Sequence, residues 1–443
     1  MLQKKKQEQD NMQGKNYISV LCFALCCLNS VAQKQYTHIA LLNGVAHIGN
    51  GQVIEGSLIS INNGKIETVS ETKGLRLDYR SFDTVIDLEG KHVYPALINC
   101  NNVLGLHDAE AIRATVDFHE VGNINPHVRA LIAYNTDNLI IPTIKTNGVL
   151  YTQATPRSGL ISGSSSIMAL EGWNWEDAVL KADDGIHINF PRMTIHKWSE
   201  EEEAVAKVTN KKYTEEMSHL LKFLSDAQAY CSGAAAEEKN IRFEAMRGVF
   251  SGSANLYIRA DRAKDILVAI NVVAKYKIKR PVIVGGKESY KVTADLHKNN
   301  IPVMLNRVND LPDYADDDVD LVYRLPYLLQ KDSVLFCFQM EGDMEAMHSR
   351  NLPFNAGESV AYGLTKEQAL MGITSNPAKI LGVDKLIGTI EEGKIASLVV
   401  STGDILDMKS NNIVMAYIAG NAVNLNNRQS ELYLKYKTKY GIK

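Results

Sequence analysis

Residues Ala254 to Val284 read ANLYIRADRAKDILVAINVVAKYKIKRPVIV. Ala254 to Ala260 is a short, mostly apolar run of strand length. From Asp261 to Lys277 the period changes: Ile266, Leu267, Ile270, Val273 and Ala274 fall at i, i+1, i+4, i+7 and i+8, one face of a helix. Pro281 to Val284 is again strand-like. Tyr290 to Lys298 reads as a helix leading to Ile301 to Leu305 (IPVML), and Val334 to Met340 (VLFCFQM) follows an Asp-rich stretch at Asp313 to Asp320. Near-continuous apolar strands separated by helices predict a parallel sheet covered on both faces.

Both flanks of this middle read differently. In residues 36–94, alternation over Ser57 to Ile61 is followed by Asn62-Asn63-Gly64 and a second run, Lys65 to Val69, the signature of a tight hairpin. Residues 385–425 give short strands at Ile387 to Ile390, Ala396 to Val400 and Ile413 to Ile418. Between middle and end, Thr365 to Gln368 is a capping box, and Asn376-Pro377 opens a helix that Gly382 stops.

Composition narrows the function classes. The chain has 443 residues, 45% of them apolar, with 48 Lys plus Arg against 51 Asp plus Glu and a net charge of −3. A disordered chain and a non-specific nucleic-acid binder are both excluded, the latter because it needs a basic surface. Lys15, the apolar run Tyr17 to Leu28 and Ser30-Val31-Ala32 form the pattern of an export signal over residues 1–32, with Met12 an alternative start to Met1. The run is too short to span a bilayer. Cleavage after Ala32 removes four lysines, one Glu and one Asp, taking the charge to −5, and leaves Cys100, Cys231 and Cys337, which are too widely spaced for a CxxC metal site. The expectation is a periplasmic or extracellular protein without a membrane span.

The opening segment from His38 to Val69, the run DLEGKHVYPALIN from Asp87 to Asn99, and NLPFNAGESVAYGLTKEQALMGITSNPAKILGVDKLIGTIEEGKIASLVV from Asn351 to Val400 resemble the amidohydrolase superfamily, in particular its exported, imidazolonepropionase-like branch. The resemblance implies an α/β fold: a (β/α)8 barrel over 95–384, a β-sandwich made from 36–94 and 385–425, a tail at 426–443, and an active site at the C-terminal mouth of the barrel strands.

In hydrolytic members, metal ligands at strand ends hold an ion such as zinc that activates water. The first strand should read P-G-x-I-D-x-H-x-H, but this chain has Pro95-Ala96-Leu97-Ile98-Asn99-Cys100-Asn101-Asn102-Val103. The two histidine positions hold Asn101 and Val103. The fifth-strand histidine falls on Arg259, whose guanidinium repels a cation, and the sixth-strand E-H-G falls on Val284-Gly285-Gly286. The eighth-strand aspartate, the general base of the family, corresponds to Asp343, with loose spacing.

Arg259 is a candidate for holding a ligand carboxylate or for pairing with Asp343, and Trp173, beside Trp175, for stacking on a ligand at the mouth. Other polar groups are candidates for a relocated site: His107, Asp108, Asp117, His119, Glu120 and His127 after the first strand, and Asp183, Asp184, His187 and His196 further on. A paired carboxylate at Asp183-Asp184 would suit acid–base work. The Gly/Ser-rich run Ser158 to Ser166 could offer backbone N–H groups to an anion, although it lacks the lysine of a phosphate loop.

These residues leave two functions open. The first is an exported, catalytically degenerate member without a cofactor, acting as a binding protein or as partner to a copy of itself or to an active homologue. The second is a C–N hydrolase using zinc or another divalent metal on non-standard ligands, with Asp343 as base.

Overall fold

The Asn63-Gly64 pair turns the chain where the sequence predicts: both residues have positive φ, 49° and 76°, joining strands β2 (Val53–Asn62) and β3 (Lys65–Glu71) in a two-residue hairpin. In the computed structural model, residues 38–108, 112–199, 204–233, 238–313 and 317–442 are described. The export signal assigned to residues 1–32 lies outside them. With β1 (Ile39–His47), β4 (Thr84–Asp87) and β5 (His92–Pro95), the hairpin supplies five strands of an eight-stranded sheet.

Its other strands come from the end of the chain, β16 (Leu398–Ser401), β17 (Ile413–Ile418) and β18 (Asn421–Ala422), and β16 pairs directly with β5. Leu41, Ile59, Ile61, Ile66, Val93, Leu398 and Val400 bury the inner face. Ile387 to Ile390, expected as a strand, is irregular: Gly388 has φ 97° and runs against Ala378, where a Cβ would lie 2.6 Å from the alanine methyl. Ile390 still buries in the sheet core, and its N–H reaches the Ile48 carbonyl at 2.9 Å.

The second sheet is the barrel. Its strands are β6 (Leu97–Asn102), β7 (Val149–Ala154), β8 (Ile161–Ala169), β9 (Val179–Asn189), β12 (Asn255–Ala260), β13 (Pro281–Gly285), β14 (Val303–Leu305) and β15 (Phe336–Phe338). A small hairpin, β10 (Thr194–Ser199) with β11 (Ala204–Thr209), follows β9. A parallel bridge between Cys100 and Gln339 closes the ring, and the carbonyls of Gly372 and Ile373 lace the seam by accepting from Phe338 and Ile98.

The expected (β/α)8 barrel is thus present, with one strand reversed. β8 runs antiparallel to both neighbours, because six residues between Ala154 and Ile161 cannot make the crossover that a parallel neighbour requires. The Gly/Ser-rich run is therefore no anion loop. All nine residues of β8 are buried, and its backbone is spent on pairing: the Ser164 N–H, for example, donates to the Val128 carbonyl at 2.8 Å.

The helix Ala263–Lys275 buries Ile266, Ala269, Ile270, Val272 and Val273, while Leu267 and Ala274, assigned to the same face, are exposed. The capping box at Thr365 and Gln368 and the left-handed Gly382 cap form as expected. The tail carries an exposed helix, Arg428–Lys439. No helix among the described residues is long and apolar enough to cross a membrane.

Gly163 is where the reversed strand runs tightly against the segment that ends at Arg129: φ is 137°, and a Cβ would sit 2.5 Å from the Val128 carbonyl oxygen. Gly163→Ala should lower the unfolding free energy by about 2 kcal/mol, since it adds both backbone strain and a clash with main chain. Urea denaturation followed by far-UV circular dichroism measures this; an unchanged midpoint would mean that β8 does not pass so tightly.

Candidate functional site

The end of β6 decides what the barrel mouth contains. Asn101 is fully buried with φ 47°, a left-handed conformation that Asn tolerates better than most residues. Every polar group it presents is occupied. Its N–H donates to Gln153 Oε1 at 2.9 Å, and its amide Nδ2 donates to Glu341 Oε2 at 2.8 Å and to Gln339 Oε1 at 3.3 Å. Arg157 takes the remaining two acceptors, with Nη1 on Asn101 Oδ1 and Nη2 on the Asn101 carbonyl, both at 2.7 Å. The same Nη2 reaches the Glu345 carboxylate at 2.9 and 3.2 Å. Arg157 and Glu345 expose only 13% and 9% of their side chains, so this pair is held largely out of water.

Val103 is buried in the main core. Arg259, at the end of β12, does not pair with Asp343; its guanidinium contacts the Glu341 carboxylate. Burial, then the nearby Arg157 charge, pull the Arg259 pKa down to about 9, which leaves it cationic at neutral pH. Asp343 lies two residues further on, exposed on the turn after β15. The order of residues explains the difference: the chain leaves the three-residue β15 at Phe338, so Glu341 and Glu345 point over the mouth while Gly342-Asp343-Met344 bulges into solvent with φ 125° at Gly342 and 50° at Met344. At Gly285, φ 98° disfavours any side chain, and a Cβ would have to displace the Asp261 carboxylate, whose Oδ1 lies 2.3 Å from it.

Below this layer the barrel interior is a satisfied polar column. Asp184, fully buried, accepts from Ser165 Oγ at 2.7 Å, from Gln153 Nε2 at 2.9 Å and from the Tyr257 hydroxyl at 2.5 Å. Burial pushes its carboxyl pKa up, and the bonds from Tyr257 and Ser165 pull against that rise. The expected Asp183–Asp184 carboxylate pair is split, since consecutive strand residues face opposite sides. Asp183 points outward and takes Arg129 Nε at 2.9 Å on both oxygens. His187 stacks on Tyr257, ring centres 4.4 Å apart, with Nε2 2.9 Å from Ser165 Oγ. Burial, then Arg157 and Arg259, pull its pKa well below the usual value.

The other sequence candidates do not gather at this centre. Trp173 is 93% exposed and sits after β8, whose reversed direction delivers it to the end of the barrel opposite the mouth. Trp175 packs against the main core. The Asp108 carboxylate accepts from Asn138 Nδ2 at 2.6 Å, fixing its loop, and the His107 ring meets Phe118 edge-on. His119 rests on Phe118, and burial, then Arg113 and Arg157, lower its pKa. His127 lines a separate cavity with Arg129 and Asp183. The side chain of His196 lies outside the described residues.

Two open cavities flank Arg192 at the mouth. One of ≈330 Å3 reaches Asn189, Phe190 and Arg259, and one of ≈390 Å3 is lined by Asp261, Arg262, Asp265, Lys287 and Asp313. Among the described residues, no group of three or more His, Cys, Asp or Glu side chains is placed to hold a metal ion.

Sequence reading missed Arg157, Gln153, Glu341 and Glu345, and the only signal for them was position. Arg157 follows a barrel strand, and both carboxylates flank Asp343 at two residues' distance.

A pH dependence follows from His187. Its folded pKa is depressed below the ordinary 6.5, so its contribution to stability is present above pH 6.5 and is lost as pH falls, at up to about 1.4 kcal/mol per pH unit. His187→Phe keeps a ring on Tyr257 and should remove that slope. Urea midpoints of both proteins between pH 7.5 and 5.5 check this; parallel curves would contradict a buried neutral imidazole.

Residues 332–423 match the model of the amidohydrolase family. No protein of curated function matches the sequence. Among solved structures, an amidohydrolase from Thermotoga maritima is similar at 25% identity with a TM-score of 0.75, over 87% of this chain and 99% of that one. A Xaa-Pro dipeptidase with methionine bound in its active site (13% identity, TM-score 0.53, 88% of this chain and 100% of that one) and a molinate hydrolase (12%, 0.51, 88% and 95%) share the fold. The closing segment thus matches the amidohydrolase family, and the likeness along nearly the whole chain is to an amidohydrolase.

Proposed function

We propose that this protein is an exported member of the imidazolonepropionase-like branch that works by binding a small molecule at the barrel mouth, without hydrolysing it through a metal centre. The observation that carries this reading is the chemistry at the four positions the family uses for ligands. Asn101 spends its amide and carbonyl on Arg157, Gln339 and Glu341; Val103 has no donor atom; Arg259 carries a positive charge against Glu341; and Gly285 has no side chain. A divalent ion wants three or more converging nitrogen or carboxylate ligands, and this set does not fit one. Two Arg–Glu pairs occupy the mouth instead, each supplying the opposite charge that the other would need from an ion or a solvent shell.

The two cavities beside Arg192 support a binding role. Their volumes fall in the range of small-molecule sites, and Arg192, Arg262 and Lys287 alternate there with Asp261, Asp265 and Asp313, which suits a polar ligand bearing both signs of charge. Export rests on the signal-like pattern of residues 12–32, and association with a second copy or an active homologue on analogy with the family alone. The hydrolase reading, with Asp343 as base, has no converging donor set to support it among the described residues.

Elemental analysis of protein dialysed without chelator, together with turnover assays on acyl amino acids, dipeptides and cyclic amides, tests the proposal. Zinc, iron and manganese should each fall far below one ion per chain, and no substrate should turn over. Stoichiometric metal, or turnover that Asp343→Asn abolishes, would establish the hydrolase instead.

A further inference from the structure

The opposite end of the barrel carries a cavity that the mouth does not explain. It measures ≈290 Å3 and opens where β12, β13, β14 and β15 begin. Four groups that carry or can take positive charge line it from separate elements: Lys279 and Arg280 before β13, His297 from the helix Thr293–Lys298, and Lys379 from the helix Ser375–Leu381. No Asp or Glu lines it. The walls between the charges are apolar, with Pro302, Leu335 and Ile380 among them.

Arg280 is fixed in place. Its Nε donates to Asn255 Oδ1 at 2.6 Å, and the Asn255 amide is itself held by the Tyr257 hydroxyl at 2.7 Å and the Ile380 carbonyl at 2.9 Å. That geometry sets the guanidinium at the cavity edge, where Nη2 reaches the Ile380 carbonyl at 3.5 Å and a Cβ at Gly382 would lie 2.5 Å from it. His297 Nδ1 meets the Ser333 carbonyl at 3.1 Å, and Nε2 has no hydrogen-bond partner among the described residues. Lys279 Nζ donates to the Ser251 carbonyl at 2.9 Å; the Lys379 ammonium makes no hydrogen bond or ion pair among the described residues, while its carbonyl accepts from the Gly382 N–H at 3.1 Å. Several cations converging without a counter-charge, in a chain of net charge −3, repel one another unless an anion joins them.

We propose that this cavity is a binding site for a small organic anion, an apolar body bearing one carboxylate or phosphate group, separate from the site at the mouth. The anionic group sits among Arg280, Lys379 and Lys279, and the apolar body lies against Pro302, Leu335 and Ile380.

Isothermal titration of the full chain with phenyl phosphate, benzoate, inorganic phosphate and benzyl alcohol tests it. Phenyl phosphate or benzoate should bind one to one and more tightly than inorganic phosphate or the neutral alcohol, and binding should weaken with added salt. Lys379→Glu, at an exposed position whose side chain makes no hydrogen bond or ion pair among the described residues, should weaken binding by about tenfold or more, the worth of one charge-assisted contact. Lys437→Glu on the exposed tail helix, an equal change in net charge, should leave it unchanged. Binding of inorganic phosphate alone would overturn the apolar half of the proposal. Absence of saturable binding, or equal loss in Lys437→Glu, would overturn the site.

Discussion

One guanidinium organises the top of this barrel. Arg157 grips both oxygens of Asn101 and the carboxylate of Glu345 from a position almost closed to water. A charge so placed is stable only with its partner; removing either member would strand the other in a poorly solvated site. Because Asn101 ends one strand, Arg157 follows another and Glu345 lies beyond the last, the cluster ties the first, second and eighth strands of the ring together where it closes. The Arg259–Glu341 pair adds the fifth strand to the same layer.

Below that layer, hydrogen bonds run down the barrel axis. Asn101 bonds to Gln153, Gln153 to Asp184, Asp184 to Tyr257, Tyr257 to Asn255, and Asn255 to Arg280 at the far end. An interior so polar is tolerated because nearly every member is satisfied, and it holds Arg280 in a fixed orientation at the opposite opening. Barrels of this kind more often fill the axis with branched apolar side chains. Here hydrogen-bonded polar side chains take part of that interior, and apolar helix faces pack outside the ring, as the burial of Ile266, Ala269, Ile270 and Val273 on one helix illustrates.

The fold was legible in sequence where period and punctuation agree. The strand–helix–strand run from Asn255 to Gly285, the Asn63-Gly64 hairpin and the Thr365 capping box depend on local preferences that tertiary packing leaves alone. β8 was not legible, since glycine and serine signal a loop until one knows that Ser165 bonds to a buried carboxylate across the barrel. At the site, Arg259 stands at a strand end as the resemblance implies, but of the two roles the sequence leaves open to it, a ligand carboxylate or Asp343, the second is taken by Glu341. A three-residue strand leaves the register of the loop after it open by one or two positions, and that offset separates Asp343 from Glu341 and Glu345. Trp173 was misplaced for a related reason: the direction of the strand before it cannot be read from its composition.

A double-mutant cycle on Arg157→Met and Glu345→Gln, measured by urea denaturation, reads the paired charges at the mouth. Each single change should destabilise the protein, and the two should be coupled by about 2 kcal/mol, so that the double variant is much less damaged than the sum. Coupling within about 0.5 kcal/mol of zero, the additivity expected of independent sites, would contradict that pairing.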